Sequence, residues 1–212
     1  MTIIIKICGL RSAEHCDCAV AAGADMIGFM FTPSRRQIAP AQAAELIATL
    51  RATHAQLPLL VGLFVNEQPA RIAAIVEQCA LDAIQLSGDE PADVLATLPE
   101  LPILKAVRLA GGAREQTWLD MTAAHVTLLV EPHQPGSYGG TGTVADWDKA
   151  ALLARQRPIM LAGGLRPDNV AEAIRHVHPW GVDVSSGVEI AGQKDCGMIA
   201  RFIATVRALG QE

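Results

Sequence analysis

Eight short apolar runs alternate with alanine-rich segments from one end of the chain to the other. The runs are "IIIKIC" (3–8), "MIGFMF" (26–31), "LLVGLFV" (59–65), "DAIQLS" (82–87), "ILKAVRL" (103–109), "VTLLVE" (126–131), "PIMLAG" (158–163) and "GVDVSS" (181–186). They are nearly continuous rather than alternating in polarity, which predicts strands buried on both faces. Helix-start signals stand between them: Ser12, Pro40, Pro69, Pro91, Asp146 and Pro167 each precede an alanine-rich stretch. The last such segment, "MIARFIATVRAL", places Met198, Ile199, Phe202, Ile203, Val206 and Leu209 on one helical face. Strand-helix alternation predicts parallel pairing through crossover helices. Eight units of roughly 26 residues predict an α/β fold, a single (β/α)8 TIM barrel, with residues 1–212 forming one domain. An open doubly wound sheet would share the alternation, but no G-x-G-x-x-G turn follows the first run.

Composition supports a large core, since half of the 212 residues are hydrophobic. With 17 basic against 22 acidic residues the net charge is −5, and the cations are scattered. A nucleic-acid partner is not expected. The apolar runs are strand-sized and the N-terminus lacks the features of a secretory signal, so no membrane association and a cytoplasmic location are expected. The five cysteines, Cys8, Cys16, Cys18, Cys79 and Cys196, are odd in number and lack zinc-site spacing. They are expected to be reduced thiols with no metal, and Cys16 and Cys18 diverge by roughly 200° on a helix.

A barrel assigns its chemistry to the C-terminal ends of the strands and the loops that follow. Cys8 ends the first run beside Gly9, where a thiolate serves as base or nucleophile; free cysteine is also common in packed cores. Lys6 shares its side of the strand and either raises the local potential or pairs with a carboxylate inside the barrel. Glu131 ends the sixth run, and a carboxyl there serves as general acid if desolvation raises its pKa. The loop after it carries Gly136, Gly139, Gly140 and Gly142, the composition of a lid. Arg36, in "TPSRRQ", is suited to a two-point grip on a substrate carboxylate, with Arg35 as its solvated neighbour. Arg108 stands next to last in the fifth run. The turns "LAGGLRPDNV" and "DVSSGVE" place Gly163, Gly164, Ser185, Ser186 and Gly187 after strands seven and eight, where barrels of this class bind phosphate. The six histidines fall mostly on helices or loops, and none is placed as a catalytic base.

Taken in order, "KICGL", "GADMIGFMF" with "SRR", "VGLFVNE", "DAIQLSGDE", "KAVRL", "YGGTG" with "DW", "LAGGLRPDNV" and "GVDVSSGVE" resemble the phosphoribosylanthranilate isomerase family across essentially the whole chain. The resemblance implies an Amadori rearrangement of N-(5'-phosphoribosyl)anthranilate in tryptophan biosynthesis, without metal or organic cofactor. It implies Cys8 as base, position 131 as acid, Arg36 on the anthranilate carboxylate, Asp183 on the substrate side, and Ser185, Ser186 and Gly187 on phosphate. Lys6 and Arg108 are expected on the substrate as well, in a monomer or weak homodimer whose only ligand is a small phosphorylated molecule. Four positions depart from the family pattern. The acid, normally aspartate, is Glu131 followed by Pro132; "QLHG" reads "QLSG", with Ser87 for histidine; Thr143 replaces a lysine; and the "S-x-R" loop is one residue short. A catalytically weakened barrel that binds a phosphosugar or anthranilate-like ligand is the competing reading, and an isomerase for the analogous histidine-pathway aminoaldose is a third.

Overall fold

Each expected run forms a strand. The computed structural model describes residues 2–132 and 145–209. Its strands are β1 (Ile4–Cys8), β2 (Met26–Met30), β3 (Leu59–Phe64), β4 (Ala83–Leu86), β5 (Ile103–Val107), β6 (Val126–Val130), β7 (Ile159–Leu161) and β8 (Gly181–Val184). They pair in sequence order as a closed parallel barrel, with β8 returning to β1. The helices are α1 (Ala13–Ala22), α2 (Pro40–Thr53), α3 (Pro69–Cys79), α4 (Ala113–Leu119), α5 (Trp147–Ala154), α6 (Val170–Val177) and α7 (Cys196–Leu209). None of the described helices is long and apolar enough to cross a membrane.

Strand parity divides the core in two. Ile5, Ile7, Ile27, Phe29, Leu128, Val130, Val182 and Val184 point outward and pack under the helices. Met26, Val61, Ala83, Leu104, Leu129 and Met160 point inward and fill the lower barrel. Apart from Ile4, Leu59 and Thr127, every position of the eight strands is buried, which is why the runs carry so few polar residues. Cys8, Met30 and Leu63 make a small third cluster at the upper end.

The helix signals hold at Ser12, which accepts a hydrogen bond from the His15 amide, and at Asp146, which accepts one from the Lys149 amide. Pro40 and Pro69 open α2 and α3. Three places differ from expectation. The stretch after Pro91 is a 3-10 turn, Ala92–Thr97. The helix after Pro167 begins only at Val170, because the Asn169 side chain bonds back to the Arg166 amide and the Gly164 carbonyl. Helix α4 had no start signal: it follows Gly111 and Gly112, and its one fully buried residue is Trp118. An unexpected hairpin of two-residue strands, β9 (Glu189–Ile190) and β10 (Gln193–Lys194), follows β8. Its turn residues Ala191 and Gly192 both take positive φ, as a tight hairpin of this kind requires.

The expectation of five reduced thiols is corrected. Cys18 and Cys196 form a disulfide between α1 and α7, with Cα atoms 5.5 Å apart, while Cys8, Cys16 and Cys79 are free and buried. The divergence of Cys16 and Cys18 has this result: the first enters the core and the second faces the last helix. Closure of the barrel brings together residues separated by 178 positions, so no local spacing signalled the pair. A bridge of this kind typically contributes about 2–4 kcal/mol. Cys18→Ser, or reduction, is expected to lower Tm by roughly 10 °C for a chain of this size. Thermal unfolding with and without reductant checks this, and an unchanged Tm refutes it.

Candidate active site

The period of two along each strand decides which side chains reach the upper mouth of the barrel. On β1 the inward positions are Lys6 and then Cys8. Lys6 has no exposed surface and donates from Nζ to Asp183 Oδ1 at 2.8 Å, across the β1–β8 seam. It lies beneath the cleft, supporting its floor rather than lining it, which is the interior pairing that the sequence reading set beside a substrate contact. Burial works against its charge, but Asp183 and Cys8 outweigh burial and hold Lys6 above its ordinary 10.5. Room for this packing comes from Gly28 on β2: a Cβ there would stand 3.0 Å from Cys8 Sγ and 3.2 Å from Lys6 Nζ.

Cys8 lines a cleft shared with Gln85, Ser87, Glu131 and Asp183. Burial pushes its thiol above the ordinary 9.0, only partly opposed by Lys6. Glu131 continues β6 through a bond from its amide to the Val107 carbonyl. Its carboxylate accepts from Arg108 Nη2 at 2.8 Å, and the same Nη2 donates to the Ser87 carbonyl at 2.7 Å. Burial raises the Glu131 carboxyl above its usual range in spite of Arg108. Arg108 thus sits against the carboxyl expected to act as acid. The following Pro132 occupies space that a side chain on Gly163 would overlap, and Gly163 has φ +86°. The missing side chain of Gly163 therefore serves this close packing.

Gly163, Gly164, Ser185, Ser186 and Gly187 all line the same cleft. Gly164 has φ +61°, and a side chain on Gly187 would overlap the Leu165 carbonyl, so the two loops touch through glycine. Ser185 Oγ donates to the Cys8 carbonyl at 3.1 Å and ties the eighth strand end to the first.

Arg36 is buried and held by Glu189, Nε to Oε1 at 2.6 Å and Nη2 to Oε2 at 3.2 Å. Arg35, half-exposed, is no solvated bystander: it donates to Glu189 Oε2 at 2.6 Å and to the Gly192 carbonyl at 3.0 Å. Lys194 of β10 donates to the Ser185 carbonyl at 2.7 Å and lies 3.3 Å from Glu189 Oε1. Burial lowers its pKa to about 8.

Sequence reasoning also missed the support beneath Ser87, Gly88 and Asp89. Glu90 accepts from the Asn66 and Gly88 amides and pairs with buried Lys105 at 2.6 Å, with Lys105 Nζ 5.5 Å from the Trp118 ring centre. The outward parity of Lys105 in an otherwise apolar strand was the available signal. None of the described histidines lines the cleft. His133, Gly136, Gly139, Gly140, Gly142 and Thr143 lie outside the described residues. Among those described, no cluster of three or more His, Cys, Asp or Glu is placed to hold a metal ion.

A thiol and an elevated carboxyl on one cleft, beside glycine–serine loops after the last two strands, define a (β/α)8 barrel enzyme of the acid–base type. The family model for N-(5'-phosphoribosyl)anthranilate (PRA) isomerase matches residues 5–205, and the chain belongs to that family. N-(5'-phosphoribosyl)anthranilate isomerase of Roseiflexus sp. (strain RS-1) is 54% identical over 212 residues, covering 99% of this chain and 100% of the relative. The crystal structure of the phosphoribosyl anthranilate isomerase from Thermotoga maritima superposes with TM-score 0.84 at 33% identity, covering 98% of this chain and 100% of the other. A phosphoribosyl anthranilate isomerase in complex with reduced 1-(o-carboxyphenylamino)-1-deoxyribulose 5-phosphate matches with TM-score 0.81 at 32% identity and the same coverage.

The environment of Cys8 has a direct consequence for its reactivity. Because burial raises its pKa above 9.0, its thiolate fraction at pH 8 is below that of an ordinary thiol. Alkylation of Cys8 by iodoacetamide, followed by mass spectrometry of its peptide, is expected to be slower than that of free cysteine at pH 8. It should accelerate with pH through and beyond 9. A rate at pH 7 exceeding that of free cysteine would contradict the assignment.

Proposed function

We propose that the chain converts N-(5'-phosphoribosyl)anthranilate to 1-(2-carboxyphenylamino)-1-deoxy-D-ribulose 5-phosphate in tryptophan biosynthesis, with Cys8 as base and Glu131 as acid. The observation that carries this reading is that the β1 thiol and the β6 carboxyl face one cleft walled by the glycine and serine loops. Glu131 gives its proton to the furanose ring oxygen, and the C1'–O bond breaks to leave a Schiff base. Cys8 thiolate takes the C2' proton, and the electron pair moves to form the enolamine. Proton gain at C1' and loss from the C2' hydroxyl complete the ketone, so substrate and product have the same composition. One C–O bond opens and the remaining steps are proton transfers within one molecule, so the chemistry calls for no external redox partner.

Asp183 reaches the cleft from β8 and is suited to a sugar hydroxyl, while its pairing with Lys6 fixes its direction. The turns at Gly163–Gly164 and Ser185–Gly187 supply amide and hydroxyl donors to the 5'-phosphate. Arg36 receives the anthranilate carboxylate. Lys6 acts from below on the thiolate, and Arg108 acts through Glu131. The chain works as one (β/α)8 domain in the cytoplasm, as a monomer or weak homodimer. There the Cys18–Cys196 bridge is one of the less common disulfides of a reducing compartment.

The active pair is a thiolate beside a protonated carboxyl, and burial raises both groups, Cys8 above 9.0 and Glu131 above 4.5. Below both pKa values the pair is thiol with acid, so the active fraction rises as pH rises. Above both, it is thiolate with carboxylate, and the active fraction falls. kcat/KM is therefore expected to level off between a lower limb above pH 4.5 and an upper limb beyond pH 9.0.

The deciding experiment follows loss of the fluorescence of phosphoribosylanthranilate on addition of protein. Wild type should turn over; Cys8→Ala and Glu131→Gln should each lose about 10²–10⁴-fold in kcat while retaining the product analogue. Glu131→Asp should keep activity or raise it. Wild type that binds the analogue without turnover would leave the weakened-barrel reading, and near-normal kcat in Cys8→Ala would remove Cys8 as base.

A further inference from the structure

Glu189 is a carboxylate in the company of three cations. Arg36 takes both of its oxygens, Arg35 takes Oε2, and Lys194 stands 3.3 Å from Oε1. Its side chain is 4% exposed, so these contacts are made in a largely dry setting. The arrangement is built by two turns that meet only in the folded chain. The Arg36 loop is tied back to β2 through Ile38 N–H to the Met30 carbonyl, and the β9–β10 hairpin carries Glu189 and Lys194.

A guanidinium has two edges that can meet a carboxylate with paired hydrogen bonds: the side formed by Nε and Nη2, and the end formed by Nη1 and Nη2. Glu189 occupies the first edge of Arg36. Nη1 has no partner among the described residues, so the second edge is left open. The Arg36 stem runs over Gly9, where an added Cβ would come within 2.8 Å of Arg36 Cδ and 3.3 Å of Ser185 Oγ. This places the arginine beside the strand ends that carry Cys8 and Ser185. Three cations against one carboxylate leave an excess of two positive charges, which suits an incoming anion.

We propose that Glu189 is a positioning residue: it grips the side edge of Arg36 so that the end edge is presented to the substrate carboxylate, while Arg35 and Lys194 balance its charge. This rests on the reading of Arg36 as the carboxylate contact. Burial alone would raise the Glu189 carboxyl, but the surrounding cations keep it below its ordinary range and ionised at working pH. Without the grip, the arginine would sample several rotamers and lose the pre-set fork. The contrary arrangement is a placeholder, in which Glu189 competes with the substrate for Arg36 and swings away on binding. The two arrangements predict opposite signs.

The test compares two ligands by calorimetry: the reduced product analogue, which has both carboxylate and phosphate, and ribose 5-phosphate, which has phosphate alone. Glu189→Gln is expected to weaken the analogue by about tenfold and leave ribose 5-phosphate within about twofold. In turnover, KM should rise with kcat little changed. Equal weakening of both ligands would indicate general damage to the loops and overturn the proposal. So would an unchanged analogue affinity, and tighter analogue binding would establish the placeholder instead. Should Glu189→Gln fail to fold, Glu189→Asp keeps the charge but shortens the reach, and the same selective loss is expected, smaller in size. Arg36→Met tests the underlying reading separately. If it leaves the analogue affinity unchanged, Arg36 is not the carboxylate contact, whatever Glu189 does. If it weakens the analogue, the double variant Arg36→Met/Glu189→Gln should lose no more than Arg36→Met alone.

Discussion

The Lys6–Asp183 ion pair spans the seam where the first strand meets the last, and both the barrel and its mouth depend on it. The two residues are direct register partners, bonded at 2.8 Å with almost no water contact. Removing one partner of such a pair strands a buried charge and costs about 3–5 kcal/mol. A slip of one residue in β1 would turn Lys6 outward among the helices and Cys8 away from the cleft. The pair therefore specifies a single closure of the sheet, and the same closure sets the thiol one layer above the ammonium. Gly28 on the adjacent strand completes this by leaving room that any larger residue would fill.

The eight strands were legible because each is covered on both sides, so burial is written into nearly every position of each run. The closing helix was legible for a related reason: Ile199, Phe202, Ile203 and Val206 recur at helical spacing and are all buried. Helix α4 was not, since Trp118 is its one fully buried residue and the rest of its hold comes from half-buried Leu119 and from Glu115, whose carboxylate accepts from the Arg108, Leu109 and Gly111 amides. Strand-end positions could be named from the barrel rule, and Cys8, Glu131, Asp183, the Gly163–Gly164 turn and the Ser185–Gly187 turn do line one cleft. The partners of those residues could not be named. Glu189 meets Arg36 across a sequence separation of 153, and Lys194 reaches Ser185 from a hairpin too short to leave a periodic trace. Side-chain pairing between distant turns is a property of the closed barrel, not of any window of the chain.

The sixth strand end shows how one departure is accommodated by another. A glutamate, where the resemblance implies aspartate, carries its carboxyl further from the backbone, and here that carboxyl is met by Arg108, itself anchored on the Ser87 carbonyl. Pro132 fixes the chain immediately afterwards, and the bare backbone of Gly163 receives the proline ring. Glu131, Pro132, Arg108, Gly163 and the main chain at Ser87 thus belong to one packed group spanning β4 to β7.

The Cys18–Cys196 bridge turns most of the polypeptide into a covalent macrocycle, with only the flanking stretches outside it. Cutting any single peptide bond within that ring opens it without releasing a fragment. The two pieces stay tethered through sulfur at the first and last helices, at the effective concentration of an intramolecular pair, about millimolar for a short flexible tether. A barrel assembled from eight repeating units is then, in covalent terms, a ring laid over a ring.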